Sequence, residues 1–593
     1  MTRAIGGPDH PRRVAVAGGG RLWPLVAIAA VVVGLVAWRA TLGMSFQDDG
    51  YYAAGTIRLA QGGRLFVDEM LVQSLGFLAA VPFAKLWTTL FGMTGVVVAL
   101  RLFYVAVATA TAVVVYRLLR PSFDPWVSLT AAAVPFLAPA YALFAVTYDT
   151  MAAIGMVLAC TLTFAAARDP RRSYAAAAGA AAAFAAVSYP PIVLAAIALL
   201  VTFAVRTRDR RLVGAMCLGA GAVVGTFAVW LLATTSVAEL AVAYRFVVGS
   251  WSSMPESIHG PRIAVDLWEL GGTLGRTWIV PLWAWFGPAA AISVWTTYDH
   301  RRAPHHDRAH GLALALLPLA LAVPVLANRA ALANTSALAT FGGNYLIAFV
   351  AFILPPMFVS LRRAESSRRD LVRIAVPVGL VGFLAVVVSS NASILWASAI
   401  VGLAPLALAA VVWWGSEIAG TLAPAAAAAA SAVLVCVLLV LLFGTAFKDD
   451  PPMSLRHTLA SGAYAGLTTS SAHATQVAEL ERLALRWIRP STTVMAVALP
   501  GAYLVSGGVP LTNNVWLNQG AFDRFAVEYL DRAGRWPDIV WVPLRLVDQP
   551  ASDVAADPLL TAVTTRYTIV ERSPIAGIAV YAASGAGQGQ GQP

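Results

Sequence analysis

Long apolar segments separated by short arginine-rich loops run through most of the chain. The first, roughly 22–41, is long and apolar enough to cross a bilayer as a helix. Only 12% of the 593 residues are charged, whereas a soluble domain has about 25%. The sequence therefore predicts a polytopic α-helical membrane protein of about thirteen spans, which lie near 22–41, 96–118, 126–147, 150–167, 174–188, 190–205, 212–233, 276–297, 311–327, 343–361, 371–388, 395–414 and 423–445.

The positions of five arginine clusters predict the topology. Arginines in short loops favour the cytoplasmic side, and each cluster falls two spans after the last. All five are cytoplasmic if the apolar segment 73–92 does not cross, whereas all five would lie outside if it did. Pro82 and Lys85 interrupt this segment, which favours a helix lying at the membrane interface. We therefore expect a cytoplasmic tail over 1–21, a multi-pass cell-membrane domain over 22–445, and an extracytoplasmic first loop over 42–95.

The composition becomes that of a soluble domain from residue 446 onward. Alternating helical and strand patterns predict a small extracytoplasmic α/β domain over 446–583. Its predicted strands are Thr493–Leu499, Ile539–Val542, Tyr567–Val570 and Ile578–Tyr581, and its predicted helices are Leu480–Ile488 and 521–533. The last segment, 584–593, is rich in Gly and Gln and is predicted to be disordered.

Charge and cysteine content exclude two classes of function. The net charge of +11 lies in loops between apolar segments, which is the pattern of membrane topology and not of nucleic-acid binding. Cys160, Cys217 and Cys436 all lie in apolar segments, so the sequence offers no disulfide framework and no cysteine-based metal site. We find no metal-binding motif. A divalent cation at an acidic pair, described next, stays an open alternative.

Asp48 and Asp49 follow the first span and are the principal candidates for chemistry. Two adjacent carboxylates repel each other, which raises the pKa of one and favours a general base or a cation ligand. The alternative is that an acid caps a helix starting at Gly50, but capping accounts for one acid and not for two. Tyr52, two residues after Gly50, is a tentative acceptor contact.

A further acid and several basic residues are predicted at the outer face. Asp149 lies between two apolar segments, and it either faces a cavity or caps the following span. Arg58, Lys85 and Arg101 lie outside against the positive-inside preference. Contact with the phosphate of a lipid would explain them, and the alternative is that they extend toward lipid headgroups.

One loop of the C-terminal domain combines amides and aromatic rings near Gly507-Gly508. This composition suits the hydroxyls and faces of a sugar, and the alternative is a packing lid in which the tryptophan is simply buried. The exposed-looking candidates for acceptor binding are Tyr503, Asn513, Asn514, Trp516, Asn518 and Gln519.

At these positions the chain resembles the GT-C superfamily of polyprenyl-phosphate-sugar glycosyltransferases, in particular the branch of protein O-mannosyltransferases and lipid A aminoarabinose transferases. That branch carries Asp-Glu, two residues and Tyr in its first loop, and residues 48–52 read Asp-Asp-Gly-Tyr-Tyr. Residues 59–63, 90–92 and 99–102 continue the resemblance, as does Tyr148-Asp149 before an apolar span.

The resemblance implies a cell-envelope enzyme that moves one sugar from a polyprenyl-phosphate donor to a glycan, lipid or protein acceptor, with inversion. It places Asp48 as general base, Asp149 as a second acid near the acceptor, and Arg58, Arg101 or Lys85 at the donor phosphate. Membrane lipids are the remaining expected partners. Residues 73–76 read Gln-Ser-Leu-Gly where the branch usually has a basic residue before proline, which leaves the identity of the donor open.

Two other classes of function are kept. A non-enzymatic transporter or flippase of a lipid-linked glycan needs charged residues inside several spans, whereas the charges here lie mostly at the ends of the spans. A structural partner of an envelope-assembly complex, with a decayed site, would fit the missing basic-proline motif.

Overall fold

The computed structural model describes residues 22–139, 143–253, 279–302, 308–327, 341–361, 364–389, 401–444, 446, 448–517 and 521–583. A helical membrane domain precedes a small α/β domain. The α-helices of the first part are α1 Leu22–Ala40, α2 Asp48–Ala60, α3 Val81–Phe91, α4 Val96–Leu119, α5 Pro125–Leu137, α6 Tyr148–Arg168, α7 Arg172–Ser188, α8 Val193–Thr207, α9 Arg210–Thr234, α10 Val237–Ser253, α11 Ile279–Arg302, α12 Arg308–Ala327, α13 Phe341–Ser360, α14 Ser366–Ser389, α15 Leu403–Thr421 and α16 Pro424–Gly444.

The prediction of a polytopic helical protein is confirmed. Within the described residues, nine helical segments are long and apolar enough to cross a membrane. Eight of them coincide with predicted spans, and the ninth, Val72–Phe91, is the segment predicted to lie at the interface. A helix coincides with each of the thirteen predicted segments. The third segment differs, because α5 ends at Leu137 and not near 147. Pro139 explains this end, since proline lacks an N–H group and disfavours helical geometry in the residue before it.

Small residues let the helices approach closely. A Cβ atom on Gly179 of α7 would lie 1.8 Å from the carbonyl oxygen of Met216 on α9. A Cβ atom on Gly219 would lie 1.9 Å from the carbonyl oxygen of Ala176. Any larger residue would therefore separate α7 from α9, which is typical of packing between membrane helices.

The segment predicted to lie at the interface is a 3₁₀-helix, Val72–Ala80, continued by α3. Both of its ends are tied to the C-terminal domain. Before it, the Met70 N–H group donates to the Asn513 carbonyl at 3.0 Å, and after it the Gly95 N–H group donates to the Gly462 carbonyl at 3.0 Å. Ends that meet the same domain lie on the same side of a membrane, which supports the predicted interfacial position.

Arginines predicted to be cytoplasmic meet one another's helices at the helix ends. Arg168, the last residue of α6, contacts Ser367, and Arg206 near the end of α8 pairs with Asp370. Arg368 donates to Glu417 at 2.5 Å and so ties α14 to α15. The shared location of these side chains agrees with the alternation that the sequence predicts.

The α/β domain is built on a five-stranded sheet of order β4-β3-β5-β7-β6. β3 lies parallel to β4 and β5, and β7 lies antiparallel to β5 and β6. The strands are β1 His457–Thr458, β2 Thr468–Thr469, β3 Thr493–Ala496, β4 Val509–Pro510, β5 Ile539–Pro543, β6 Tyr567–Ser573 and β7 Ile578–Ala583, and the helices are α17 Ser471–Trp487, α18 Ala502–Ser506, α19 Ala521–Ala533, α20 Leu544–Val547, α21 Ala551–Ala556 and α22 Pro558–Arg566.

Most of the elements predicted for this domain are present. The four predicted strands correspond to β3, β5, β6 and β7, and segment 521–533 is α19. The predicted helix 480–488 begins earlier, at Ser471, where the Ser470 side chain caps it by accepting from the His473 N–H group. Segment 584–593, predicted to be disordered, lies outside the described residues.

Candidate active site

Helix α2 presents the acidic pair at its first turn, where the helix dipole favours negative charge. Gln47 occupies the N-cap position without a side-chain hydrogen bond, so the capping alternative does not account for either acid. The C-terminal domain touches this turn. A Cβ atom on Gly50 would lie 2.5 Å from the Gly501 Cα atom, and the Gly501 N–H group donates to the Phe46 carbonyl at 2.7 Å.

Asp49 forms a buried, two-pronged ion pair with Arg101 of α4. Arg101 Nη2 donates to Asp49 Oδ2 at 2.5 Å, and Arg101 Nε donates to Asp49 Oδ1 at 3.3 Å. Asp49 is 2% exposed and Arg101 is 5% exposed. A third bond, from Arg101 Nη1 to the Ala40 carbonyl at 2.9 Å, adds the end of α1. Both oxygens of Asp49 are therefore engaged in joining three helices.

Asp48 has a different environment. Its side chain is 18% exposed, and its Oδ2 atom lies 3.3 Å from the ammonium nitrogen of Lys448, which also contacts Gln47. Burial raises the pKa of Asp48 above its usual range, although Lys448 acts in the opposite direction. The two neighbouring acids are thus divided into a buried, paired carboxylate and a partly accessible one.

Asp149 lies in the first turn of α6 but does not cap it. Thr147 is the cap and shares a reciprocal capping box with Thr150, in which each side chain accepts from the other residue's backbone N–H group. Asp149 is buried beside the Tyr148 hydroxyl. The Tyr148 ring lies 6.4 Å from the ring of Tyr52, so the first turn of α6 faces α2.

A narrow crevice with room for about one water molecule lies between α2, α4 and the segment before α6. Asp49, Arg101 and Tyr52 line it together with Phe144 and Val146. Tyr52 is buried here, so its predicted contact with an acceptor stays a prediction.

The three predicted phosphate contacts differ in accessibility. Arg58 is buried and donates to Glu69 Oε1 at 3.0 Å, to the Asp68 carbonyl at 2.7 Å and to the Thr512 carbonyl at 2.7 Å. The side chain of Arg101 is engaged with Asp49, as described. Lys85 is exposed on α3. All three roles stay predictions, and Lys85 is the one whose side chain is accessible.

The expectation that the amide-rich loop is exposed is wrong for three of its four described residues. Asn513 and Asn514 are fully buried and Tyr503 is buried, because this loop forms the junction with the first loop. The Val515 N–H group donates to the Glu69 carboxylate at 3.1 Å, which with Arg58 closes the junction. The remaining Asn518 and Gln519 lie outside the described residues.

Trp516 is partly exposed, and its ring lies 4.9 Å from that of Tyr51 on α2. It therefore connects the C-terminal domain to the helix that carries the acids. This position is compatible both with the predicted acceptor contact and with the packing alternative.

A resident metal ion finds little support at the acidic pair. In the described part of the chain, no group of three or more His, Cys, Asp or Glu side chains is arranged to hold a metal. Asp49 already accepts from a guanidinium, and Asp48 faces an ammonium group. These positive neighbours would repel a divalent cation.

Sequence reasoning missed three residues of this region. Lys448 meets Asp48 across 400 positions in the chain. Glu69 pairs with Arg58 in the loop junction. Asp449 accepts from the Met44 N–H group at 3.0 Å and from the Thr469 hydroxyl at 2.5 Å. One signal was available, because Lys85 and Lys448 are the only lysines among 41 lysine and arginine residues.

One family model matches part of the chain. Residues 79–235 match the family model described as dolichyl-phosphate-mannose-protein mannosyltransferase. No curated protein matches the chain. The matched segment includes Lys85, Arg101 and Asp149 but begins after Asp48 and Asp49.

Three solved structures show limited similarity. ArnT from Cupriavidus metallidurans bound to undecaprenyl phosphate is 15% identical over 96% of this chain and 99% of its own, with a TM-score of 0.40. Its apo state is 16% identical over 95% and 98%, also at 0.40. The arabinosyltransferase EmbB from Mycobacterium smegmatis is 18% identical over 73% and 42%, with a TM-score of 0.36. Similarities of this strength carry no argument about function.

The family match confirms the predicted resemblance to the GT-C superfamily, in the branch of the protein mannosyltransferases. The match also agrees, over residues 79–235, with the prediction of a glycosyltransferase, and the helices long and apolar enough to cross a membrane support the multi-pass prediction.

Proposed function

We propose that the protein transfers one sugar from a polyprenyl-phosphate donor to an acceptor hydroxyl on the extracytoplasmic face, with inversion and with Asp48 as the general base. The family description of the matched segment, which names a dolichyl-phosphate sugar, supports the donor class. The base is assigned from the different environments of the two neighbouring acids. Asp49 is bound on both oxygens by Arg101, whereas Asp48 is partly accessible.

The proposed step follows from the groups present. The acceptor hydroxyl gives its proton to the Asp48 carboxylate while its oxygen bonds to the anomeric carbon of the sugar. The bond from that carbon to the phosphate oxygen breaks, and the polyprenyl phosphate leaves with the electron pair. A base is needed because a neutral hydroxyl is a weak nucleophile, and a positioned base contributes about 10²–10⁴-fold in rate.

Lys85 is the proposed contact with the donor phosphate. A cation stabilises the negative charge that develops on the leaving phosphate. Arg58 and Arg101 already donate to buried protein acceptors, while the exposed Lys85 is on the segment whose two ends meet the C-terminal domain. Asp149, on the turn that faces α2 through Tyr148, is proposed as the second acid near the acceptor.

The C-terminal domain is proposed to contribute to acceptor binding. In open α/β sheets, ligands bind beyond the carboxyl ends of the strands where the strand order reverses. Here that point is between β3 and β5, and the chain after β3 reaches Gly501, which packs on Gly50 of α2. The edge of the sheet that is suited to ligand binding therefore packs against α2, the helix that carries Asp48 and Asp49.

Proteoliposomes test the function and separate it from the flippase alternative. The purified chain is reconstituted with a radiolabelled polyprenyl-phosphate-sugar fraction extracted from cells that lack the protein, together with delipidated envelope glycans. We expect the label to move from the lipid phase to the glycan, and we expect no transfer with Asp48→Asn. Movement of labelled lipid between leaflets without glycan labelling would favour the flippase instead.

A further inference from the structure

Lys448 joins the last membrane helix to the C-terminal domain and reaches the acidic helix. Its ammonium nitrogen lies 3.3 Å from Asp48 Oδ2 and also contacts the side-chain oxygen of Gln47. The backbone of Lys448 has a φ angle of 55°, in the left-handed region that residues other than glycine rarely adopt. A rare conformation of this kind persists only where the surrounding structure enforces it, and such residues concentrate at functional sites.

The neighbouring Asp449 is held by contacts with both domains. It accepts from the Met44 N–H group at 3.0 Å on the first loop and from the Thr469 hydroxyl at 2.5 Å on β2. Its other oxygen lies 3.1 Å from His473 Nδ1 on α17. The segment of Lys448 and Asp449, which links α16 to the C-terminal domain, is therefore fixed to both domains. The Lys448 side chain reaches α2 from this segment at little further cost in entropy.

The choice of lysine is informative in this chain. Every other basic side chain except Lys85 is an arginine. Arginine presents a planar fork that binds both oxygens of a carboxylate, as Arg101 does for Asp49. Lysine is a compact point charge on a flexible stem, so it can neutralise one oxygen and leave the other open. This is the arrangement that a carboxylate acting as a base requires.

We infer, on the basis of the proposed function, that Lys448 is a positioning residue for Asp48. The Lys448 ammonium group favours the ionised form of the base and holds one carboxylate oxygen, so that the other oxygen faces the acceptor. The charged groups around Asp48 are few in the described structure. Lys448 approaches Asp48 from the segment after α16. Asp49 lies beside Asp48 on α2, and its charge is neutralised by Arg101 of α4. Lys448 is thus the cation in contact with Asp48, and it favours the ionised carboxylate against the effect of burial.

The expected effect follows from the distance and the exposure. Burial raises the pKa of Asp48, and the contact with Lys448 opposes this rise. The Lys448 side chain is 44% exposed, so solvent screens the interaction. Opposite charges about 3–4 Å apart in a water-like medium change a pKa by about 0.5–1 unit. Removing the charge of Lys448 should therefore raise the pKa of Asp48 further.

The test compares the pH dependence of kcat/KM in Lys448→Met, Lys448→Arg and wild-type protein, with Arg489→Met as a control at an exposed cation of the C-terminal domain. We expect the acidic limb of the profile to move upward by about 0.5–1 pH unit in Lys448→Met only. The rate at high pH should be largely restored. An equal loss at every pH, or an unmoved limb, would overturn the inference.

Two further measurements keep the outcome decisive. Lys448→Gly removes the charge and relieves the left-handed backbone, so it should be at least as stable as Lys448→Met and show the same shift of the limb. Infrared difference spectra, with the carboxyl band identified by its loss in Asp48→Asn, report the titration of Asp48 without any turnover. If the wild type transfers no sugar but this band shifts in Lys448→Met, the proposed function fails and the contact stands. If the band does not shift, the inference fails.

Discussion

The buried pair of Asp49 and Arg101 leads to a prediction that separates a structural role from a phosphate contact. Arg101→Met removes two hydrogen bonds to Asp49 and one to the Ala40 carbonyl. The Asp49 carboxylate, 2% exposed, is then left without its partner. Breaking one side of a buried ion pair costs about 3–5 kcal/mol, so we expect a loss of this order in the free energy of unfolding.

The double variant Asp49→Asn/Arg101→Met isolates the pair energy. It leaves no uncompensated charge, and replacing a whole buried pair is often close to neutral. We therefore expect it to be more stable than Arg101→Met, with a coupling between the two sites of about 1–3 kcal/mol.

Thermal unfolding of the full chain in detergent, followed by tryptophan fluorescence and by the fraction that stays monodisperse, measures these differences. Arg245→Met, at an exposed arginine of α10, is the matched control. Arg101→Met should unfold well below this control. If instead it matches the control in stability while its donor KM rises, Arg101 contacts the phosphate and the reasoning from burial is refuted.

Three other predictions follow from the contacts of the C-terminal domain. Gly501→Ala should lower stability by about 1–3 kcal/mol, because its Cβ atom would lie 2.8 Å from the Phe46 Cα atom. Thermal unfolding measures this against Gly225→Ala, at an exposed helical glycine with open space around its Cβ position, and an unchanged Tm contradicts it. Burial opposes ionisation of Asp449, but its hydrogen bonds lower its pKa below the usual value. The stability that Asp449 contributes is therefore present above about pH 3.9 and is lost progressively as the pH falls below it. The Tm difference between wild type and Asp449→Asn should shrink on acidification, and a constant difference contradicts this. Trp516→Ala, which empties the contact with Tyr51, should raise the acceptor KM with little change in kcat, whereas a lower Tm with an unchanged KM supports the packing alternative.

The membrane helices could be predicted from the sequence because their signal is local. Apolar length and the positions of arginines in short loops depend only on neighbouring residues. Segment 73–92 is long and apolar enough to cross, yet Pro82, Lys85 and the phase of the arginine clusters predict an interfacial position. The contacts of both its ends with the C-terminal domain agree with that prediction. The strands of the C-terminal domain were also visible as short apolar runs.

The environment of the site depends on contacts that no local pattern encodes. Lys448 reaches Asp48 across 400 positions, and Arg58 reaches Thr512 across 454. Asn513 was expected to be exposed because amides usually are, yet its carbonyl accepts from the Met70 N–H group inside a domain junction. Buried backbone groups need partners, and a junction between two domains supplies them in a way that composition does not reveal.

The same limit applies to the acidic pair. The sequence identified two adjacent carboxylates but not which of them is accessible. Arg101, predicted as a phosphate contact, lies on α4 and binds Asp49, and this long-range pairing divides the roles of the two acids. Electrostatic partners that come from other helices thus decide what a short motif can do.

The central claim is that Asp48 is the base and Asp49 is not. The most direct measurement is the single-turnover rate of sugar transfer from a labelled polyprenyl-phosphate donor by purified wild type, Asp48→Asn and Asp49→Asn, each checked for folding by its Tm. The account predicts a loss of about 10²–10⁴-fold for Asp48→Asn at an almost unchanged Tm, and a smaller loss with a lowered Tm for Asp49→Asn. A folded Asp48→Asn variant that transfers sugar at nearly the wild-type rate would contradict it.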